Sequence, residues 1–202
     1  MEINYVCSLG QSCHSAQLLK RNNLKVNSYP FDWVFAYLNI VTHCLEDDFN
    51  TFLNKSRYCE IKDRRFEKQC GHIDYEPNFF NHKDPRTEDH YAYYQRCVYR
   101  FKNLLSKNEP KLFIMITNED KNKIYDFNSK FSNFTSNYTL LVINFKSDCS
   151  TRNYEYFTNG NLHFIDLQVT SSSTGARFRN EEDNVYLDSI LKSIYNFQIK
   201  SL

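Results

Sequence analysis

Three stretches of this chain are apolar along the length of a strand rather than at every second position. Lys111-Leu-Phe-Ile-Met-Ile-Thr117 and Tyr138-Thr-Leu-Leu-Val-Ile-Asn-Phe145 are nearly unbroken, and Asn161-Leu-His-Phe-Ile-Asp-Leu-Gln168 is a third. A strand with one wet face alternates, whereas a strand buried on both faces does not. Helical patterns separate these strands. Over residues 88–107, Tyr94, Cys97, Val98, Phe101, Leu104 and Leu105 recur at helical spacing. Residues 119–132 and 181–197 also read as helices. The N-terminus begins the same alternation, with a short buried strand over residues 3–9, the breaker Gly10, and a helix over 12–22. Ser12 is its candidate N-cap, and Ala16, Leu18, Leu19 and Leu24 give it an apolar face. The expected fold is therefore α/β, a three-layer, largely parallel and Rossmann-like sheet with helices on both faces, forming one domain over residues 1–202.

Between the first helix and the strand at 111 the pattern is less regular. Ser28-Tyr29-Pro30-Phe31-Asp32-Trp33 reads as a compact aromatic turn, with Pro30 biasing Tyr29 away from helix. A second helix is expected over residues 34–46, with 47–54 a candidate continuation. Residues 56–90 form an irregular insertion with weak strand signals at 58–62 and 72–75. A loop this long inside a compact domain is usually functional.

The chain has 202 residues, 41% of them hydrophobic, and a formal charge of +1. It is long enough for a real core, and it carries no net field to attract nucleic acid or an anionic membrane. The start, Met1-Glu2-Ile3-Asn4, lacks the basic and apolar regions of a signal peptide, and no apolar run approaches the roughly 18 residues of a membrane span. A cytoplasmic location is expected, with the sequons at Asn54, Asn133 and Asn137 unused. Seven irregularly spaced cysteines fit free thiols in a reducing compartment. Cys59…Cys70-Gly71-His72 lacks the paired C-x-x-C unit of structural zinc sites, so neither metal nor cofactor is expected. The abundance of Asn, Lys, Tyr, Phe and Ile fits an AT-rich genome, such as that of a large DNA virus or a protist.

The strongest candidate site is Ser8-Leu9-Gly10-Gln11-Ser12-Cys13, where the first strand turns into the first helix. Ligands of open α/β sheets gather at strand carboxyl ends, and a helix start offers free N–H groups and partial positive charge. Such a site lowers a thiol pKa and suits a nucleophilic Cys13. The same amides of Gly10 and Ser12 suit an anion, and the turn has a plain packing reading too. Asp32, set between large aromatics beside Trp33, needs a partner and either orients a base or holds a corner. His82, in the loop Phe79-Phe80-Asn81-His82-Lys83-Asp84, has the residue type of a general base. His163, near Asp166, is a competitor, and His14 is a poor partner for its neighbour Cys13. Arg96 and Arg100 share a helix face and form either a carboxylate or phosphate receptor or a solvated surface. Thr117 and Asn144 end buried strands, where a crevice would lie.

Taken together, Ser8-Leu9-Gly10-x-x-Cys13, the Lys-Arg-Asn-Asn run within Leu18 to Leu24, Pro30-Phe31-Asp32-Trp33, Asn81-His82, Arg96-x-x-x-Arg100-Phe101, Leu112–Ile116 and Leu141-Val142-Ile143-Asn144 resemble one family. It is the papain-like cysteine peptidase type of domain of unknown function found in bacteria and giant viruses. The resemblance implies a cysteine hydrolase with Cys13 as nucleophile, His82 as base and Asp32 or Asp84 orienting the imidazole. It also implies a backbone N–H near Cys13 as oxyanion donor and a peptide or amide substrate, a glycan substrate going with the transferase alternative that follows. The buried, helix-alternating strands instead suggest a nucleotide-sugar transferase using the Gly10–Cys13 turn with Arg96 and Arg100. A non-catalytic binding module is the third reading. A viral chain would work in the host cytoplasm.

Overall fold

The computed structural model describes residues 1–61 and 70–202. Its centre is a five-stranded, mostly parallel sheet built from β2 (Tyr5–Ser8), β5 (Lys111–Ile116), β6 (Tyr138–Lys146), β8 (Leu162–Gln168) and β7 (Asn153–Asn159), in the order β2-β5-β6-β8-β7. The first four are parallel, and β7 pairs antiparallel with β8 at one edge. The parallel strands thus lie side by side in chain order. Two small additions flank the sheet. β1 (Glu2–Ile3) pairs with β9 (Asn196–Phe197), and β3 (Tyr58–Glu60) pairs with β4 (Cys70–His72).

The unbroken apolar runs divide their residues between two cores, as burial on both faces requires. Cys7, Phe113, Met115, Leu140, Val142 and Phe164 enter one core, together with Val41 of α2 (Leu38–Glu46), Phe101 of α3 (Glu88–Leu105) and Phe127 of α4 (Lys121–Phe131). Val6, Leu112, Ile114, Leu141, Ile143 and Ile165 enter the other, with Leu19 of α1 (Cys13–Arg21) and Leu187 of α5 (Glu181–Ile194). Helix α1 carries the expected Ser12 cap, α4 and α5 have side-chain caps as well, and α2 and α3 have none. The Ser12 hydroxyl accepts from the His14 N–H at 3.4 Å, and Asp120 and Asn180 cap α4 and α5 through their side chains.

Three expectations need correction. Residues 34–37 are not helical, because Val34 bridges Phe80 and Ala36 packs on the Gly10 turn, so α2 begins only at Leu38. Residues 47–54 form turns rather than more helix, with Asp48 and Phe49 in the left-handed region at φ 55° and 64°. Strand β7 was not expected at all, since its residues are almost all exposed and carry no buried-run signal. The insertion over 56–90 contains the β3–β4 hairpin, and the part of it over 62–69 lies outside the described residues. No helix among the described residues is long and apolar enough to cross a membrane.

Candidate active site

The turn that ends β2 is fixed by backbone geometry before any chemistry is considered. Gly10 has φ +88°, a conformation that residues with a Cβ rarely adopt. A Cβ there would lie 2.9 Å from the Ala36 carbonyl oxygen and 3.0 Å from the Ala36 Cβ. Glycine thus lets the catalytic-candidate turn and the segment after Trp33 approach closely. Ser15, one turn into α1, locks the arrangement. Its hydroxyl donates to the Gly10 carbonyl at 3.0 Å and accepts from the Ile116 N–H at 3.0 Å, tying the helix start to the end of β5.

Cys13 is the first residue of α1 and is only 5% exposed. His82 reaches it from the loop after Phe80. Phe80 is clamped by bridges to Val34 and Cys70, with backbone bonds of 2.9 and 3.3 Å exchanged with Cys70. This clamp carries His82 to the helix start, and His82 Nε2 lies 3.1 Å from Cys13 Sγ. The Trp33 ring meets the imidazole edge-on at 5.7 Å between centroids. The Asn81 amide donates to Cys13 Sγ at 3.7 Å. The backbone N–H groups of Ser12 and Cys13 lie at the helix start, where intrahelical carbonyl partners are lacking, and the Cys13 N–H lies beside its own sulfur.

The electrostatics differ from the expectation of a lowered thiol pKa. Burial pushes the Cys13 thiol up, the Asn81 amide and the Cys13 N–H oppose this, and the Asp32 charge adds to the rise. Burial also pushes the His82 imidazole below its ordinary value. Both shifts favour a neutral thiol beside a neutral imidazole in the resting molecule. Desolvation outweighs the Asn81 and Cys13 N–H donors that favour the thiolate, contrary to the lowered thiol pKa expected from the sequence.

The remaining candidates divide. Asp32 is fully buried, with Oδ2 accepting from the Tyr29 N–H at 2.8 Å and ion-paired with Lys25. Burial raises its carboxyl pKa, while Lys25 and the Tyr29 N–H pull it down. Asp84 is held by Arg86, and its own N–H donates to His90 Nδ1 at 3.1 Å. No hydrogen bond joins either carboxylate to His82 among the described residues. Arg96 is exposed and Arg100 half-buried along α3. Thr117 is buried and accepts from the Glu119 N–H at 3.1 Å. Asn144 lines a cavity of about 270 Å³ with Lys121, Tyr154, Glu155 and Asp166, and neither Arg96, Arg100, Thr117 nor Cys13 joins it. Asn144 therefore stands apart from Arg96, Arg100 and Thr117 in the lining of this cavity.

Two histidines flagged as competitors have other occupations. His163 Nδ1 is shared by the Tyr156 and Tyr195 hydroxyls at 2.9 and 2.8 Å. His14 is buried against Phe178, bonds Ser173 through Nδ1, and has its pKa lowered to about 3 by burial. Asn81 and Ser15 were not singled out as site residues by sequence reasoning. Asn81 adjoins His82, which was the available signal, whereas Ser15 gave none. No group of three His, Cys, Asp or Glu side chains among the described residues could hold a metal.

A search of curated proteins and a search of solved structures each found no match. The model of the family described as "Putative papain-like cysteine peptidase (DUF1796)" matches residues 4–148, well over half of the chain, and the chain belongs to that family.

Proposed function

We propose that the protein is a cysteine-dependent hydrolase acting on a peptide or amide bond, with Cys13 as nucleophile and His82 as its general base. The observation that carries this reading is the 3.1 Å approach of Cys13 Sγ to His82 Nε2. That distance is within reach for proton transfer, and the family membership agrees with it.

The chemistry follows from the neutral pair. Substrate binding brings a carbonyl carbon to Sγ, and the thiol proton passes to His82 Nε2 as the sulfur–carbon bond forms. The carbonyl oxygen becomes an oxyanion, for which the proposed donors are the N–H groups at the start of α1 and the Asn81 amide, which already donates to Cys13 Sγ. His82 then gives its proton to the leaving amine as the carbon–nitrogen bond breaks, leaving a thioester. Water, deprotonated by the same imidazole, hydrolyses the thioester and restores the thiol. Trp33 sets the plane of the imidazole by packing rather than by a carboxylate. All seven cysteines are free, which suits a thiol enzyme working in a reducing compartment.

The test is covalent labelling with electrophilic peptide probes, located by mass spectrometry. A single adduct at Cys13 is expected, absent in Cys13→Ser and slowed by about 10²–10⁴-fold in His82→Ala. Iodoacetamide labelling of the resting protein should follow an apparent pKa above the usual thiol value of about 8.5. Labelling spread evenly over the cysteines, or unchanged by His82→Ala, would overturn the proposal.

A further inference from the structure

We propose that β7 is a self-association edge, through which two copies of this chain pair antiparallel into one continuous sheet. β7 is a seven-residue strand at the open side of the five-stranded sheet, and among the described residues nothing bonds its outer backbone groups. Free sheet edges are normally blunted by proline, lysine, a bulge or shortness. Asn153-Tyr-Glu-Tyr-Phe-Thr-Asn159 has no proline, lysine or bulge, and the charge of Glu155 is its one such guard. Its pairing with β8 is one-to-one from Asn153↔Gln168 to Asn159↔Leu162, so no bulge twists it away. The nearby Arg152 is folded back onto Asp183 and Glu182 and does not guard the edge.

Symmetry and charge select a second copy and a register. A two-fold axis normal to the sheet pairs each residue with one on the same face. Centring the axis on Tyr156, the middle of the strand, pairs all seven residues. Tyr156 then faces Tyr156 of the second copy, Tyr154 faces Thr158, and Glu155 faces Phe157. The ammonium of Lys121, which pairs with Asp166 of its own chain at 3.1 Å and keeps its side chain 47% exposed, lies 4.5 Å from the Phe157 ring centroid. Glu155 of each copy is thereby delivered to Lys121 of the other, twice per dimer. The neighbouring register centred on Glu155 would instead set two carboxylates face to face. Tyr154 and Tyr156, 37% and 38% exposed in one chain, gain cross-strand partners in the pair. β7 lies beyond the segment that the family model matches, so the edge is independent of the proposed catalytic residues.

The experiment is sedimentation velocity or light scattering over a concentration series on the full chain, with circular dichroism to check folding. The wild type should move from 24.2 kDa toward twice that mass as concentration rises. Glu155→Lys, which sets two cations together, should remain monomeric while folded, and so should Lys121→Glu. The double exchange Glu155→Lys with Lys121→Glu should regain the dimer. A wild type that stays monomeric throughout would overturn the proposal, as would a dimer indifferent to both single changes or a double variant that does not recover.

Discussion

Replacing Asp32 with Asn separates a catalytic carboxylate from a structural one. In the structure Asp32 is fully buried, and the Lys25 side chain paired with it is only 10% exposed. The amide keeps an acceptor for the Tyr29 N–H but leaves the lysine without its counter-charge. Breaking a buried pair from one side costs about 3–5 kcal/mol. Lys25 retains a 2.6 Å bond to the Asn27 carbonyl, so the lower end, about 3 kcal/mol, is expected. For a domain of this size that lowers Tm by about 6–12 °C. The thiol should respond in the opposite sense to a triad. The Asp32 charge raises the Cys13 pKa, so removing it leaves probe labelling per folded molecule equal to or faster than wild type. A carboxylate that orients the base would instead cost about 10⁴-fold in rate with little loss of stability. Urea denaturation and probe labelling on the same samples distinguish the two. A stable Asp32→Asn variant with collapsed labelling would refute the reasoning. The apolar pair Asp32→Leu with Lys25→Met should recover much of the lost stability.

Two further outcomes test the framework around the site. Gly10→Ala should cost about 2–4 kcal/mol, from left-handed strain and the approach of Ala36, measured by urea unfolding; unchanged stability would mean that the turn is not held as described. Asp183 concerns the pH dependence of stability. Its burial raises the carboxyl pKa, but bonds from Ser171, the Thr170 N–H, Arg152 and the Thr170 hydroxyl outweigh this and bring it below the ordinary carboxylate value. A depressed folded-state pKa contributes stability that is present above the unfolded pKa of about 4 and is lost as pH falls through the lower folded value. The wild type should therefore lose stability below about pH 4 more steeply than Asp183→Asn, and parallel acid-unfolding curves would count against the network.

The sheet was legible because its strands carry their burial in the sequence. The run at 111–117 leaves no polar face to put in water, and α3 shows its stripe from Tyr94 to Leu104. Cys13 and His82 were legible as residue types in suggestive places. Their meeting was not, because it depends on the Phe80 bridges to Val34 and Cys70, which are long-range backbone contacts without local pattern. Asp32 was correctly seen to need a partner, but Lys25 had no signature marking it as that partner. Arg96 and Arg100 share a helix face as spacing requires, yet a shared face does not say what it looks onto. β7 escaped because an exposed edge strand lacks the apolar run by which its neighbours were found.

The clamp at Phe80 has a consequence for control. Cys13 belongs to the junction of β2, α1 and β5, whereas His82 sits in a loop anchored by the bridges of Phe80, the Asn81 bond to Cys13 and the Asp84 N–H bond to His90. The proposed nucleophile and the proposed base therefore report on two different local stabilities. Releasing the loop would silence the thiol while the sheet stayed intact, and the energy needed would be that of a few bridges, not of global unfolding. Chemistry by the proposed pair would in that sense be gated by docking, with the lifetime of the assembled pair set by the weaker of its two supports.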